Sequence, residues 1–314
     1  MMTLRQFAAA HVSGRFQIPV STIWSLSELS EAKGKQALFT RQAPQRLKAL
    51  RESAIIESAV SSNRIEGVEV DAARAGTVVF GTQLLRNRDE EEVRGYRAAL
   101  AEVHEAGALT PVSVGTIRRM HATSRAGIGD AGEYKSANND IIERYPDGRS
   151  RLRFRTVPAD QTTAAMEDLV AEWSRCVGER WVPPEIALCA FNLDFLCVHP
   201  FRDGNGRVSR SFERLIEENK ARYYETLEES SRGWHEGAHD PWPYINYLLY
   251  VLTLAYREFE SRLGDVRSPR GAKTGLVEAA IQKRADPFRI TDLQVLIHFG
   301  LPTSRTNARA WVST

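Results

Sequence analysis

One stretch constrains this chain more than any other: His199-Pro200-Phe201-Arg202-Asp203-Gly204-Asn205-Gly206-Arg207-Val208-Ser209-Arg210. A base, a carboxylate, two glycines, an amide and several guanidiniums fall within one short run. Before it, residues 185–198 carry apolar side chains at Ile186, Leu188, Cys189, Leu193, Phe195 and Leu196. That run, opened by Pro183-Pro184, predicts a buried helix with its prolines confined to the start. Pro200 ends it near His199. Beyond the glycines, Val208, Phe212, Leu215 and Ile216 recur at i, i+4, i+7 and i+8, the stripe of a second amphipathic helix. The stretch therefore reads as helix, tight loop, helix N-terminus.

Such a loop favours anions. Gly204 and Gly206 permit backbone conformations closed to other residues, so that successive N–H groups can converge on one anion. The helix start adds free N–H groups and a favourable dipole. Arg207 and Arg210, three apart, project to one side of the helix, away from its apolar stripe. Two guanidiniums beside an amide nest suit a polyphosphate. Asp203 would repel bare phosphates unless a hard cation stood between, as Mg2+ does with few carboxylates and several phosphate oxygens. His199 is the group at this lip able to accept a proton near neutral pH.

These residues resemble the complete signature of Fic-domain proteins, His-Pro-Phe-x-Asp-Gly-Asn-Gly-Arg-x-x-Arg, with every fixed position present. The resemblance covers about residues 45–260. It implies a mainly α fold, a Fic-type helical bundle with a small β-hairpin flap and a C-terminal helix-turn-helix-like segment. It also implies protein adenylyl transfer, moving AMP from ATP onto a Ser, Thr or Tyr hydroxyl of a target and releasing pyrophosphate. In that reading His199 takes the hydroxyl proton and Asp203 holds Mg2+. Gly204, Asn205, Gly206 and Ser209 belong to the nucleotide site, and Arg207 and Arg210 grip the β- and γ-phosphates. Phe201 is core packing. Gly206 speaks against the kinase-like branch, which has Lys there.

A second stretch bears on control. Leu47, Leu50, Ala54, Ile55, Ala59 and Ser62 offer one face of a helix stopped by Gly67. Glu66 then lies where the helix dipole disfavours an anion, which an external cation would explain. Ser62-x-x-x-Glu66-Gly67 resembles the inhibitory motif of Fic proteins whose brake precedes the core. By that resemblance Glu66 pairs with Arg210 and blocks productive ATP binding. The same residues would also serve the reverse reaction, removal of AMP by water, and the sequence does not separate the two.

The rest of the chain is read in order. Residues 1–45 are short mixed segments around Ile18, Trp24 and Leu29, without visible chemistry. Residues 71–109 predict a helix with Val93, Tyr96, Leu100 and Val103 on one face, and 112–125 another. Gly127-x-Gly129-x-x-Gly132 lacks the strand and helix that a dinucleotide fingerprint needs. Tyr145-Pro146-Asp147-Gly148 predicts a hairpin within 132–155. In Fic proteins this position holds the flap, on which the target protein docks by strand addition. Arg151, Arg153 and Arg155 suggest an acidic neighbour on that target. Residues 157–177 predict a further helix.

His235-Glu236-Gly237-Ala238-His239 spells HExxH, but Gly237 and Asp240-Pro241 break the continuous helix that a zinc site of this kind needs. Trp242 opens the next helix and, by the resemblance, is a candidate contact for the adenine base. The predicted organisation is an N-terminal helical region at 1–110 and a catalytic core at 111–263. A linker at 264–271 and a truncated winged-helix-like module at 272–314 follow.

Composition limits the alternatives. Hydrophobic residues at 42% and a net charge of +2 are those of an ordinary globular chain and give no preference for nucleic acid. The tail is basic, with eight Lys/Arg against four Asp/Glu over 265–314. A DNA-bound regulator with a nucleotide-sensing body is the reading from another class, and protein docking or homo-oligomer support is the preferred role of the tail. Cys176, Cys189 and Cys197 make no disulfide framework, pointing to the reducing cytoplasm. No membrane span is expected.

Overall fold

The computed structural model describes residues 2–40, 54–61, 63–64, 70, 72–81, 84–106, 111–125, 129–145, 147–209, 216 and 219–264. Ser62, Glu66, Gly67, Arg210, the linker from 265 and the module at 272–314 lie outside the described residues. Met1–Glu258 form one compact unit, and the second, Phe259–Thr314, is described only through the end of its first helical turns. Among the described residues no helix is long and apolar enough to cross a membrane.

The core is built on a helix that is apolar nearly all round. It follows α1 (Thr3–Val12), α2 (Val20–Thr40), α3 (Ala72–Phe80), α4 (Arg88–Ala106), α5 (Val114–Ser124) and α6 (Thr162–Gly178), and is α7, Pro184–Val198. Ile186, Ala187, Ala190 and Leu193 are fully buried on it. Such a helix must be surrounded. The helices α1 and α6 pack along it. They are joined by α8 (Asn205–Ser209), α9 (Lys220–Ser231) and α10 (Trp242–Gly264). Burial holds the thiols of Cys176, Cys189 and Cys197 above the ordinary cysteine range, as inert core groups.

Residues 1–45 are more ordered than their composition suggests. Met2 offers no side-chain cap to α1. A residue from α7 does this instead: Thr3 N and Leu4 N donate to Asp194 Oδ1 and Oδ2 at 2.7 and 3.0 Å. Trp234 Nε1 donates to the same Oδ1 at 2.7 Å. A carboxylate at a helix N-terminus meets both free N–H groups and the dipole. Burial nonetheless pushes the Asp194 pKa above the ordinary carboxylate value, against the pull of these donors. The cap comes from nearly two hundred residues away, so nothing local announces it.

The single helix expected over 71–109 is two. Gly81 ends α3, its N–H donating to Thr77 O at 2.8 Å. A Cβ there would fall 2.4 Å from Thr77 O. A new start follows, in which Asn87 Oδ1 accepts from Glu90 N and Glu90 Oε2 from Arg86 N. This is the reciprocal logic of a capping box. The helical residues 54–61, α3 and α4 share a second small core of Ile55, Ala59, Val78, Val79, Val93 and Tyr96.

Strands β1 (Ile141–Arg144) and β2 (Ser150–Phe154) form an antiparallel hairpin, pairing Ile142 with Leu152 and Glu143 with Arg151. Gly148 at φ 84° makes the turn, as Pro-Asp-Gly implied. Ile142 and Leu152 are 50% and 49% exposed, an apolar cross-strand pair facing solvent. Two of the hairpin's arginines are already engaged within the chain. Arg153 forks onto Glu143 at 3.0 Å, and Arg151 meets Glu228 at 2.6 Å. An acidic neighbour on a partner is therefore not needed to satisfy them.

Candidate active site

The signature stretch bridges the end of α7 and the start of α8. His199 caps α7 in the left-handed region, φ 52° and ψ 59°, with its N–H donating to Phe195 O at 2.9 Å. Phe201 is fully buried and stacks on the His121 ring at 3.7 Å between centroids. Asn205 fastens the turn: its Oδ1 accepts from Phe201 N at 2.9 Å and its Nδ2 donates to Phe201 O at 2.7 Å. The side-chain amide thus braces the loop's own backbone. Gly204 adopts φ 80°, and a Cβ would meet the His121 ring at 3.4 Å.

His121, from α5, is a support that sequence reading missed. Gly132 N donates to its Nδ1 at 2.9 Å, so the ring hydrogen is on Nε2, which donates to Asp203 O at 3.0 Å. Burial pushes the His121 pKa down to about 4 against the pull of that bond. His239 is similar. Its ring nitrogens meet Thr3 Oγ1 at 2.9 Å and Gln6 Nε2 at 3.1 Å, and burial takes it to about 4. His235 instead contacts Arg155 O and stacks on Phe154. The two histidines of the HExxH string serve different packing contacts.

A pH effect follows. Both buried rings have folded pKa values below the ordinary histidine value, so the unfolded chain binds more protons between the two. Their contribution is complete above about pH 6.5 and falls away as pH drops towards 4, each by up to about 1.4 kcal/mol per pH unit. Urea denaturation at pH 7, 6 and 5 should show this decline, and a flat profile would contradict neutral rings.

Asp203 is half-exposed, and it is held rather than free. Its Oδ2 accepts from Arg125 Nη1 at 2.5 Å and its Oδ1 from Gly204 N at 2.6 Å. Burial pushes its pKa up, but Arg207, Arg125 and the Gly204 N–H outweigh that and hold it below the ordinary carboxylate value. Arg125, at the end of α5, also reaches Asp130 at 3.3 Å. Arg88, Arg125, Gly129, Asp130, Arg202 and Asp203 line a cleft of about 530 Å³. Three guanidiniums against two carboxylates leave it net cationic.

Arg207 is buried against α4. Its side chain is 1% exposed and donates to Glu92 Oε2 at 2.5 Å and to Asn63 Oδ1 at 3.2 Å. Burial raises the Glu92 pKa, but Arg207 and Arg88 outweigh it, so the carboxyl is held below its ordinary value. The i, i+3 spacing with Arg210 set both guanidiniums on one side of the helix, away from its apolar stripe. The acid that buries Arg207 comes from α4, which no local pattern connects to the motif. Two further residues of that reading have these surroundings. Ser209 Oγ donates to Gly206 O at 2.9 Å, a bond within its own turn. Trp242 packs on Phe7 and Phe16 and does not line the cleft.

Among the described residues no group of three or more His, Cys, Asp or Glu could cage a metal. A single half-exposed carboxylate beside a cationic cleft fits Mg2+ that arrives with phosphate oxygens, which needs few protein ligands.

Comparisons with known proteins bear on the fold that carries this loop. Residues 111–216 match the family model described as the Fic/DOC family. No curated protein matches. A Fic family protein from Desulfovibrio desulfuricans G20 superposes with a TM-score of 0.66 at 23% identity, covering 93% of this chain and 88% of its own. A Fic domain containing signaling protein from Bacteroides thetaiotaomicron VPI-5482 gives 0.65 at 20% identity, covering 78% of this chain and all of its own. Fic-1 from C. elegans gives 0.54 at 19% identity, with 78% and 73% covered. The His199 loop, its two flanking helices and the hairpin therefore belong to a domain of the Fic/DOC family.

Proposed function

We propose that this chain is an autoinhibited protein adenylyltransferase that moves AMP from ATP to a hydroxyl of a target protein. The observation that carries the reading is the cationic cleft with half-exposed Asp203 at its wall, opening beside the loop that begins at His199. The target's hydroxyl gives its proton to His199 as its oxygen bonds the α-phosphorus. The bond from that phosphorus to the bridging oxygen breaks, and pyrophosphate leaves. Arg88, Arg125 and Arg202, on the cleft wall, balance the triphosphate's charge, which is where most of the rate in such transfers arises. Mg2+, held by Asp203 and phosphate oxygens, would neutralise charge on the leaving group. Ile142 and Leu152 offer a partner strand its apolar contact on the hairpin.

The inhibitory part rests on Asn63. This residue lies three positions before Glu66, and its Oδ1 accepts from Arg207, three positions before Arg210. The segment carrying the acid thus begins against the motif helix. A Glu66→Gly variant given α-labelled ATP and cell proteins is expected to label protein at least about tenfold more than wild type, a release of about 1.4 kcal/mol. Equal labelling by both would end the autoinhibition reading.

A further inference from the structure

His199 is one of two non-glycine residues at positive φ among the described residues. A left-handed conformation is unfavourable for a residue with a side chain and persists only where the surroundings fix it. The fixing comes from both sides, and from one residue. Lys135 Nζ donates to Val198 O, the carbonyl just before His199, at 3.2 Å. Lys135 N donates to Pro200 O, the carbonyl just after it, at 2.9 Å.

Lys135 is 4% exposed and is itself anchored at the foot of the hairpin. Its Nζ also donates to Thr156 Oγ1 at 2.9 Å, while Thr156 N donates to Asp140 Oδ1 at 3.0 Å. Asp140 immediately precedes β1, and Thr156 follows the end of β2 by two positions. A buried lysine is often no more than a strut. Here its ammonium sits at the C-terminal end of α7, where unpaired carbonyls and the helix dipole favour a cation.

We infer that Lys135 is a positioning residue for His199, holding the carbonyls on either side of it and tying its orientation to the base of the hairpin. This rests on His199 acting as the base in the proposed transfer. The residue links two parts of the site that must agree: the hairpin, where a target would dock, and the imidazole that takes its proton. Burial lowers the ammonium pKa to about 8, against the pull of Asp140, leaving it mainly protonated at neutral pH and able to donate.

The test places Lys135→Met in the Glu66→Gly background and measures kcat, KM for ATP, thermal midpoint and the nitrogen-15 resonances of the His199 ring. The expected result is a kcat lower by about 10- to 100-fold, an ATP KM within about twofold of the parent, and displaced His199 resonances. Thr156→Val, which removes only the hydroxyl anchor, is expected to lower kcat a few-fold with the same KM and serves if Lys135→Met does not fold. An unchanged kcat with unmoved ring resonances overturns the inference, even if the midpoint falls. If the Glu66→Gly parent transfers no AMP, the functional reading fails, and the resonances alone still decide whether Lys135 orients His199.

Discussion

His199→Ala in the Glu66→Gly background is expected to lower AMP transfer by about 10²- to 10⁴-fold, the usual worth of a positioned general base. The loss should appear in kcat rather than in ATP affinity, because in this reading the imidazole acts on the target's hydroxyl and not on the triphosphate. The fold should survive. Alanine at φ 52° bears a left-handed penalty of similar order to histidine, and the bonds that hold this turn come from main-chain groups and from the side chains of Asn205 and Lys135. Single-turnover rates, with circular dichroism as the check on folding, decide it. A variant that retains its rate would remove His199 from the chemistry.

The second large effect is on stability. Glu92→Ala is expected to cost about 3–5 kcal/mol, because it strips the main partner from a buried guanidinium. Glu92 Oε2 lies 2.5 Å from Arg207 Nη1, and Oε1 accepts from Arg88 at 2.8 Å and lies 3.7 Å from Arg125. Asn63 Oδ1 at 3.2 Å and the half-exposed Asp203 carboxylate at 3.7 Å would be left to Arg207, and neither replaces the buried acid at its side. Removing both partners, as in Glu92→Ala with Arg207→Met, should recover much of the loss, since the penalty lies in the orphaned charge. Urea denaturation of the two variants measures this. A single-variant loss below about 1 kcal/mol would show that water reaches Arg207.

How much of this was legible follows from where the partners sit in the chain. The helix at 184–198, the loop at 199–204 and the hairpin at 141–154 were readable because each is specified by adjacent residues: an apolar run, a proline, paired glycines, Pro-Asp-Gly. The boundary between α3 and α4 was readable too, from Gly81 and from Asn87 followed by Glu90, but the apolar face across it concealed the break. The contacts of Arg207, Asn205 and Ser209 were hidden from the sequence for one shared reason. Their residue types suit phosphate binding, and only the fold reveals that Glu92, the Phe201 backbone and the Gly206 carbonyl have claimed them. Arg125, His121 and Lys135 carry no local signal, standing 63 to 82 positions before the groups they hold. A helix C-cap ending in Ser124-Arg125 and a lysine opening a hairpin are ordinary until the tertiary contact is seen.

The most direct measurement uses the Glu66→Gly protein with Mg2+ and ATP labelled in parallel at the α- or the γ-phosphate, against a mixture of cell proteins. The account predicts protein-bound label from the α position alone, lost with His199→Ala. Label entering protein from the γ position would contradict it, and the cleft would then belong to a phosphate-transferring enzyme.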